Sequence, residues 1–175
     1  MKNISQTGFT IIELMMVLFV VGILVGIASP SMQVMIERNR TEAQLNAIYS
    51  TLLTARSEAI SRNQPAVICK SADRSACTTS GNWEQGWLLY IDADDDGTFD
   101  ASEELITSKG ALHTGFTLRA ASPLNNVVSF RANGTTNSTG SMKLCPPSED
   151  TDHSYNVVLS MTGRARVSSE VVSCP

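Results

Sequence analysis

The sequence predicts an α+β fold in which one long N-terminal helix packs on a C-terminal antiparallel β-rich domain. Three observations carry that prediction. Of the 22 residues from Phe9 to Pro30, 16 are apolar and only Glu13 is charged. Beyond Pro30, Leu45, Ile48, Leu52, Ala55 and Ala59 recur at intervals of three and four, which is one face of a helix. From Pro65 onward, short β-branched and aromatic runs alternate with turn residues, the pattern of paired strands. A chain of 175 residues suits a single ordinary domain behind such a helix. Composition excludes a collagen-like or wholly disordered chain. The lack of a second long apolar run excludes a polytopic membrane protein.

As a helix, residues 9–30 would span about 33 Å, enough for a hydrocarbon core of roughly 30 Å. Three readings compete for this segment. A cleaved secretory signal has a small-x-small site at Gly26-Ile27-Ala28, but its leader would carry only Lys2 and its apolar region would hold Glu13. A plain membrane anchor leaves Glu13 unexplained, since an acid in hydrocarbon costs on the order of 2–3 kcal/mol. The third reading cuts the chain between Gly8 and Phe9. The new amine at Phe9 then lies one helical turn from Glu13, on the same face, and the two charges offset each other's desolvation. Gly22 and Gly26 fit a small-residue packing face; equally, they soften a helix that kinks near Pro30.

The amphipathic stretch should run to about Arg62, with Asn63 ending it before Pro65. The expected layout is a leader at 1–8, an apolar helix at 9–30, its amphipathic half at 31–62 and a β-rich domain at 63–175. Expected strands include residues 66–69, 87–91, 127–130 and 155–159, separated by turn clusters at Asn133-Gly134, Thr139-Gly140 and Thr162-Gly163. Trp83 and Trp87 should pack against the helix stripe or the sheet. Four cysteines permit three pairings. Joining near neighbours, Cys69 with Cys77 and Cys145 with Cys174, closes a short polar loop and pins the C-terminus. A zinc site would use closer Cys pairs than these. An even count behind an export segment favours disulfides in an oxidising compartment.

Thr7-Gly8-Phe9-Thr10-Ile11-Ile12-Glu13-Leu14 resembles the class III signal of type IV pilins and type II secretion pseudopilins, with Pro30 where those families usually carry a proline. The resemblance implies that a prepilin peptidase cuts after Gly8 and methylates the Phe9 amine. Glu13 would then steer docking into a helical filament. Ala55-Arg56-Ser57-Glu58-Ala59-Ile60 with Arg62, Trp83-x-x-Gly86-Trp87, Asp92-x-Asp94-x-Asp96-Gly97 and Gly163-Arg164-Ala165-Arg166 are similar to the GspH/FimT branch of minor pilins and pseudopilins. That branch implies a type IV pilin-like fold and a low-copy subunit that initiates a filament or sits at its tip. Its partners would be other minor subunits and the major subunit. The protein would be held in a bacterial inner membrane by one pass, with its C-terminal domain in the periplasm. The sequence does not separate a type IV pilus from a type II secretion pseudopilus.

Two charged motifs stand out against a formal charge of −4. Seven of the 17 acids fall between Asp92 and Glu104, with no base among them. Asp92, Asp94, Asp96, Asp100 and Glu103 take the acidic positions of an EF-hand calcium loop, and Gly97 takes its glycine position. The competing reading is a solvated hairpin turn, because a strand and not a helix precedes the loop. Arg164 and Arg166, two apart on a strand, would point the same way and suit phosphate. In some FimT-like relatives a matching motif is tied to DNA capture in natural transformation, so DNA is the alternative partner, aided by Lys143 or Arg131. Ordinary exposed charge at a hairpin explains the same residues. No catalytic function is expected. His113 and His153 lack metal-type spacing, and neither a Gly-x-Ser-x-Gly elbow nor a Gly-rich phosphate loop is present.

Overall fold

A computed structural model describes residues 8–169 and 173–174, without the side chains at 27–31. Leader residues 1–7 lie outside the described residues; at Pro30, where a kink is expected, only the backbone is described, and it is helical. The chain divides into two units, residues 1–37 and 38–175. Helix α1, Ile11–Arg62, begins in the first and ends in the second. Its start is set by Thr10, whose Oγ1 accepts the Glu13 amide at 3.3 Å while its carbonyl accepts the Leu14 amide. Thr10 is thus the N-cap, and the helix begins two residues later than the expected start at Phe9.

In the second unit α1 buries Thr41, Leu45, Ile48, Leu52, Ala55 and Ala59. This is the predicted stripe extended by one turn. Burying each large aliphatic side chain stabilises the fold by roughly 1.5–3 kcal/mol, far more than an exposed i,i+4 ion pair. The stripe, and not the exposed Arg38–Glu42 pair, therefore holds the helix down. At its end Asn63 takes φ +54°. The Asn63 amide donates to Ile60 O and the Gln64 amide to Ala59 O, the paired bonds of a Schellman cap.

Among the described residues eight strands follow: β1 Ala66–Lys70, β2 Trp87–Ile91, β3 Glu104–Lys109, β4 Thr117–Ala120, β5 Val127–Phe130, β6 Gly140–Cys145, β7 Tyr155–Leu159 and β8 Ala165–Ser168. They form two antiparallel four-stranded sheets, ordered β3-β2-β1-β5 and β4-β6-β7-β8. The main core joins the helix stripe to Ala66, Ile68, Leu89 and Ile91 of the first sheet and to Leu118, Met142, Leu144, Val157 and Leu159 of the second. Both tryptophans lie in it. Trp87 Nε1 donates to Thr51 Oγ1 of α1 at 3.1 Å, and Trp83 Nε1 to Leu124 O at 2.8 Å.

The first sheet is covered on its other face too. Val67, Cys69, Leu88 and Tyr90 form a second small core with Cys77, Phe99 and Val127, so β1 and β2 are buried at every position. Gly140 opens β6 opposite Leu159 instead of lying in a turn. A Cβ there would stand 3.1 Å from Leu124 Cδ1, so the strand runs close under that side chain. Disulfides join Cys69 to Cys77 and Cys145 to Cys174.

Candidate functional site

The first unit presents its chemistry at the start of α1. Gly8, Phe9 and Thr10 precede the helix and are exposed. Thr10-x-x-Glu13 is a capping-box spacing, a signal the pattern of apolar residues conceals. Glu13 sits in the first turn, where a carboxylate also favours the positive end of the helix dipole. It therefore has a local role beside any role between chains. From Ile11 to Val25 the large apolar side chains keep between 48% and 82% of their surface exposed, far more apolar area than water tolerates uncovered. Nothing lies within 4 Å of a Cβ placed at Gly22 or Gly26. Among the described residues, no helix is long and apolar enough to cross a membrane.

In the second unit the β2–β3 loop gathers acids. Asp92 is almost fully buried, at 2% exposure. Its Oδ1 accepts the Asp96 amide at 3.1 Å and its Oδ2 the Gly97 amide at 3.0 Å. Gly97 adopts φ +75°, which only glycine takes without strain. Carboxylate oxygens of Asp92, Asp94 and Asp96 lie within 4.8 Å of one another. Burial, and then the neighbouring acids Asp95 and Asp94, push the Asp92 carboxyl up from its usual value against those two amide bonds. Asp100 is not one of this group. Its Oδ1 accepts both the amide and the hydroxyl of Ser102 at 2.6 Å, which holds its carboxyl below the usual range. Glu103 turns back over the loop, its Oε2 accepting the Asp100 amide at 3.1 Å. The structure thus brings together three of the five predicted acids, with Glu103 beside them, and leaves Asp100 out.

The basic motif divides into two parts. Gly163, at φ +71°, lies against the turn of Gly134, at φ +75°. A Cβ at Gly163 would collide with the Gly134 carbonyl oxygen and crowd Arg56 Nε at 3.3 Å. One at Gly134 would stand 2.6 Å from Ile60 Cδ1. Two glycine turns therefore meet over Arg56 and Ile60 of α1, and the glycine of the Gly-Arg-x-Arg motif is explained by packing. Arg164 lies in the turn before β8, while Arg166 stands opposite Val158 within it. Both are exposed, and among the described residues neither forms an ion pair. Arg119 and Lys143 are opposed across β4 and β6, one row from Arg166 on the same outer face. Arg119 is bound to Glu84, and Lys143 Nζ donates to Ser173 O at 3.4 Å. Arg131 starts the Gly134 turn.

Two further charged residues have roles that the sequence reading did not assign. Lys70 is 2% exposed, its ammonium donating to Thr79 O at 3.2 Å and Gly81 O at 2.8 Å. Burial lowers its pKa. Lys70 thus fastens the loop that Cys69–Cys77 closes. Arg62 donates to both Glu58 and Glu104, at 2.6 and 2.7 Å, and ties the end of α1 to β3. His113 is exposed, and His153 bonds Asp150 at 2.7 Å.

The family described as Type II transport protein GspH matches residues 44–163. The prokaryotic N-terminal methylation motif matches residues 4–29. The fold is similar to the type IV minor pilin FimU of Pseudomonas aeruginosa, at 23% identity, TM-score 0.62, 79% of this chain and 98% of that one. A second crystal form of that protein gives 25% identity over 78% of this chain, with TM-score 0.55. The minor pseudopilin EpsH of the type 2 secretion system of Vibrio cholerae is similar at 16% identity and TM-score 0.51, over 73% of this chain and 95% of that one. No curated protein matches the chain significantly.

Proposed function

This chain belongs to the GspH family of minor pilins and pseudopilins, and from that premise we propose that it is a low-copy filament subunit that initiates assembly or occupies the tip complex. The uncovered apolar face of α1 between Ile11 and Val25 is the observation that carries the reading. Before assembly the apolar helix holds the subunit in the inner membrane, with residues 63–175 in the periplasm. A prepilin peptidase removes residues 1–8 and methylates Phe9. The apolar face then passes from lipid to neighbouring subunits of a type IV pilus or a type II secretion pseudopilus, so its burial drives docking without new chemistry. Glu13 sets the register of docking by pairing with an N-terminal amine.

Glu13→Ala should sharply lower recovery of the subunit in sheared filaments while cleavage after Gly8 proceeds. Normal incorporation would contradict the assigned role of Glu13. Glu13→Gln separates charge from capping, since the amide keeps a side chain able to reach the Thr10 backbone.

A second reading has its own observation: Arg164 and Arg166 are exposed, without ion pairs, and Lys143 lies on the same face as Arg166. On this reading the hairpin binds DNA phosphates for uptake. A gel shift at low salt should weaken in Arg164→Ala/Arg166→Ala. Equal retardation would remove these residues from the case. Because Gly163 is required for packing, the Gly-Arg-x-Arg spacing alone does not favour DNA.

A further inference from the structure

Tyr90 lies on β2, two residues before Asp92 and on the same face of the strand. It is fully buried, its ring packed against Phe99 of the acidic loop at a centroid distance of 5.0 Å. Its hydroxyl has no hydrogen-bond partner. A buried hydroxyl without a partner is costly, at about 1–3 kcal/mol. The ring's contact with Phe99 sets the hydroxyl under the acidic loop, where burial first, and then the charges of Asp92, Glu103, Asp96 and Asp94, hold its proton on. Glu103 Oε1 is likewise buried without a partner. The charged groups that act on Glu103 are Asp92, Asp100 and Asp94, all of its own sign.

A merely solvated turn accounts for Asp92, whose oxygens accept two loop amides, but has no reason to leave a buried hydroxyl and a buried carboxylate oxygen unpartnered beside it. A hard cation relieves the repulsion among the acids and gives the unpartnered oxygens something to coordinate. We propose that the β2–β3 loop binds one calcium ion through Asp92, Asp94, Asp96 and Glu103, with the Tyr90 hydroxyl closing the inner side of the site. Calcium accepts six to eight oxygens in a flexible shell, whereas magnesium demands a tight octahedron. A loop that offers several carboxylates from one short segment suits the larger ion. Asp100, turned onto Ser102, supplies no ligand. The site lies in the second unit and does not depend on how α1 assembles.

The test uses the full chain in a nonionic detergent, stripped with a chelator and melted with 10 mM calcium or 10 mM magnesium. Loops of this kind outside the cytosol bind calcium at roughly 0.1–1 mM, so calcium should raise the melting temperature by about 3 °C or more and magnesium by less than 1 °C. Asp94 and Asp96 are exposed, so Asp94→Asn/Asp96→Asn should fold normally and lose the calcium-dependent rise. Sensitised terbium emission, displaced by calcium in the unaltered chain, should fall at least tenfold in the same variant. The proposal is overturned by an unchanged melt in calcium, by an equal rise in magnesium, or by a rise that survives in the variant.

Discussion

The two halves of α1 are helical and rich in apolar residues, yet they answer to different solvents. Between Ile11 and Val25 apolar side chains occur around the whole helix and stay exposed. Between Leu45 and Ala59 they are confined to one stripe, and that stripe is buried against two sheets. Hydrophobicity therefore does different things along one element. Where it surrounds the helix it is left uncovered in the isolated chain; where it is one-sided it folds the domain.

The largest test of this contrast is a matched pair of truncations. Leu52→Ala, in the buried stripe, should cost about 2–5 kcal/mol and lower the melting temperature of the domain by several degrees. Leu18→Ala, in the exposed half, should leave that melt unchanged and reduce recovery in filaments. Equal effects on the melt would break the division. A medium effect is expected where the buried half stops. Asn63→Ala forces a Cβ without Asn's tolerance into φ +54° and should cost about 1 kcal/mol, while Asn63→Gly should be neutral or slightly stabilising; chemical denaturation curves of the two variants check this. The smallest effect belongs to the exposed ion pair. Arg62 holds the Glu104 carboxyl below its usual range, chiefly through their hydrogen bond. A depressed acid contributes stability that is present above its unfolded pKa and lost as pH falls through its folded pKa. Arg62→Met should therefore slightly flatten the fall in melting temperature on acidification below about pH 4.3, and leave the neutral-to-alkaline limb unchanged in shape.

The charged loops give a second contrast. The acidic loop is docked through Phe99 and Asp92, so its acids cannot all turn to water. The basic hairpin is docked through Gly163, which leaves its arginines free to do so. Spacing displayed both motifs equally well. Which charges were buried depended on neighbours from β1, β5 and α1 that no local spacing reveals.

Much of the fold was legible where local preference and burial agree. Strands 87–91, 127–130 and 155–159 are β-branched or aromatic runs, and the structure keeps those bounds. The stop at Arg62 was legible because Asn63 tolerates the left-handed turn and Pro65 forbids continuation. Strands β4 and β6 were not predicted as such, while β8, expected to include Arg164, begins one residue later at Ala165. Thr117–Ala120 and Gly140–Cys145 carry Gly, Lys, Arg and Ala, which have little intrinsic strand preference. They are strands because β7 and its neighbours pair with them. The cap at Thr10 is written in its spacing with Glu13, but the same Glu13 also carries the charge inside the apolar run, and that pattern masks the capping box.

By itself, then, the sequence determined the apolar N-terminal helix, the stripe that docks its second half, the export-type signal around Gly8 and Phe9, and the family those motifs indicate. All of these are written in contiguous or periodic residues. Only the tertiary structure decided that β1 and β2 are buried on both faces, that Gly163 is needed against Gly134, and that Tyr90 lies buried against Phe99 with its hydroxyl unpartnered. Such facts depend on contacts between residues distant along the chain, and packing alone selects them.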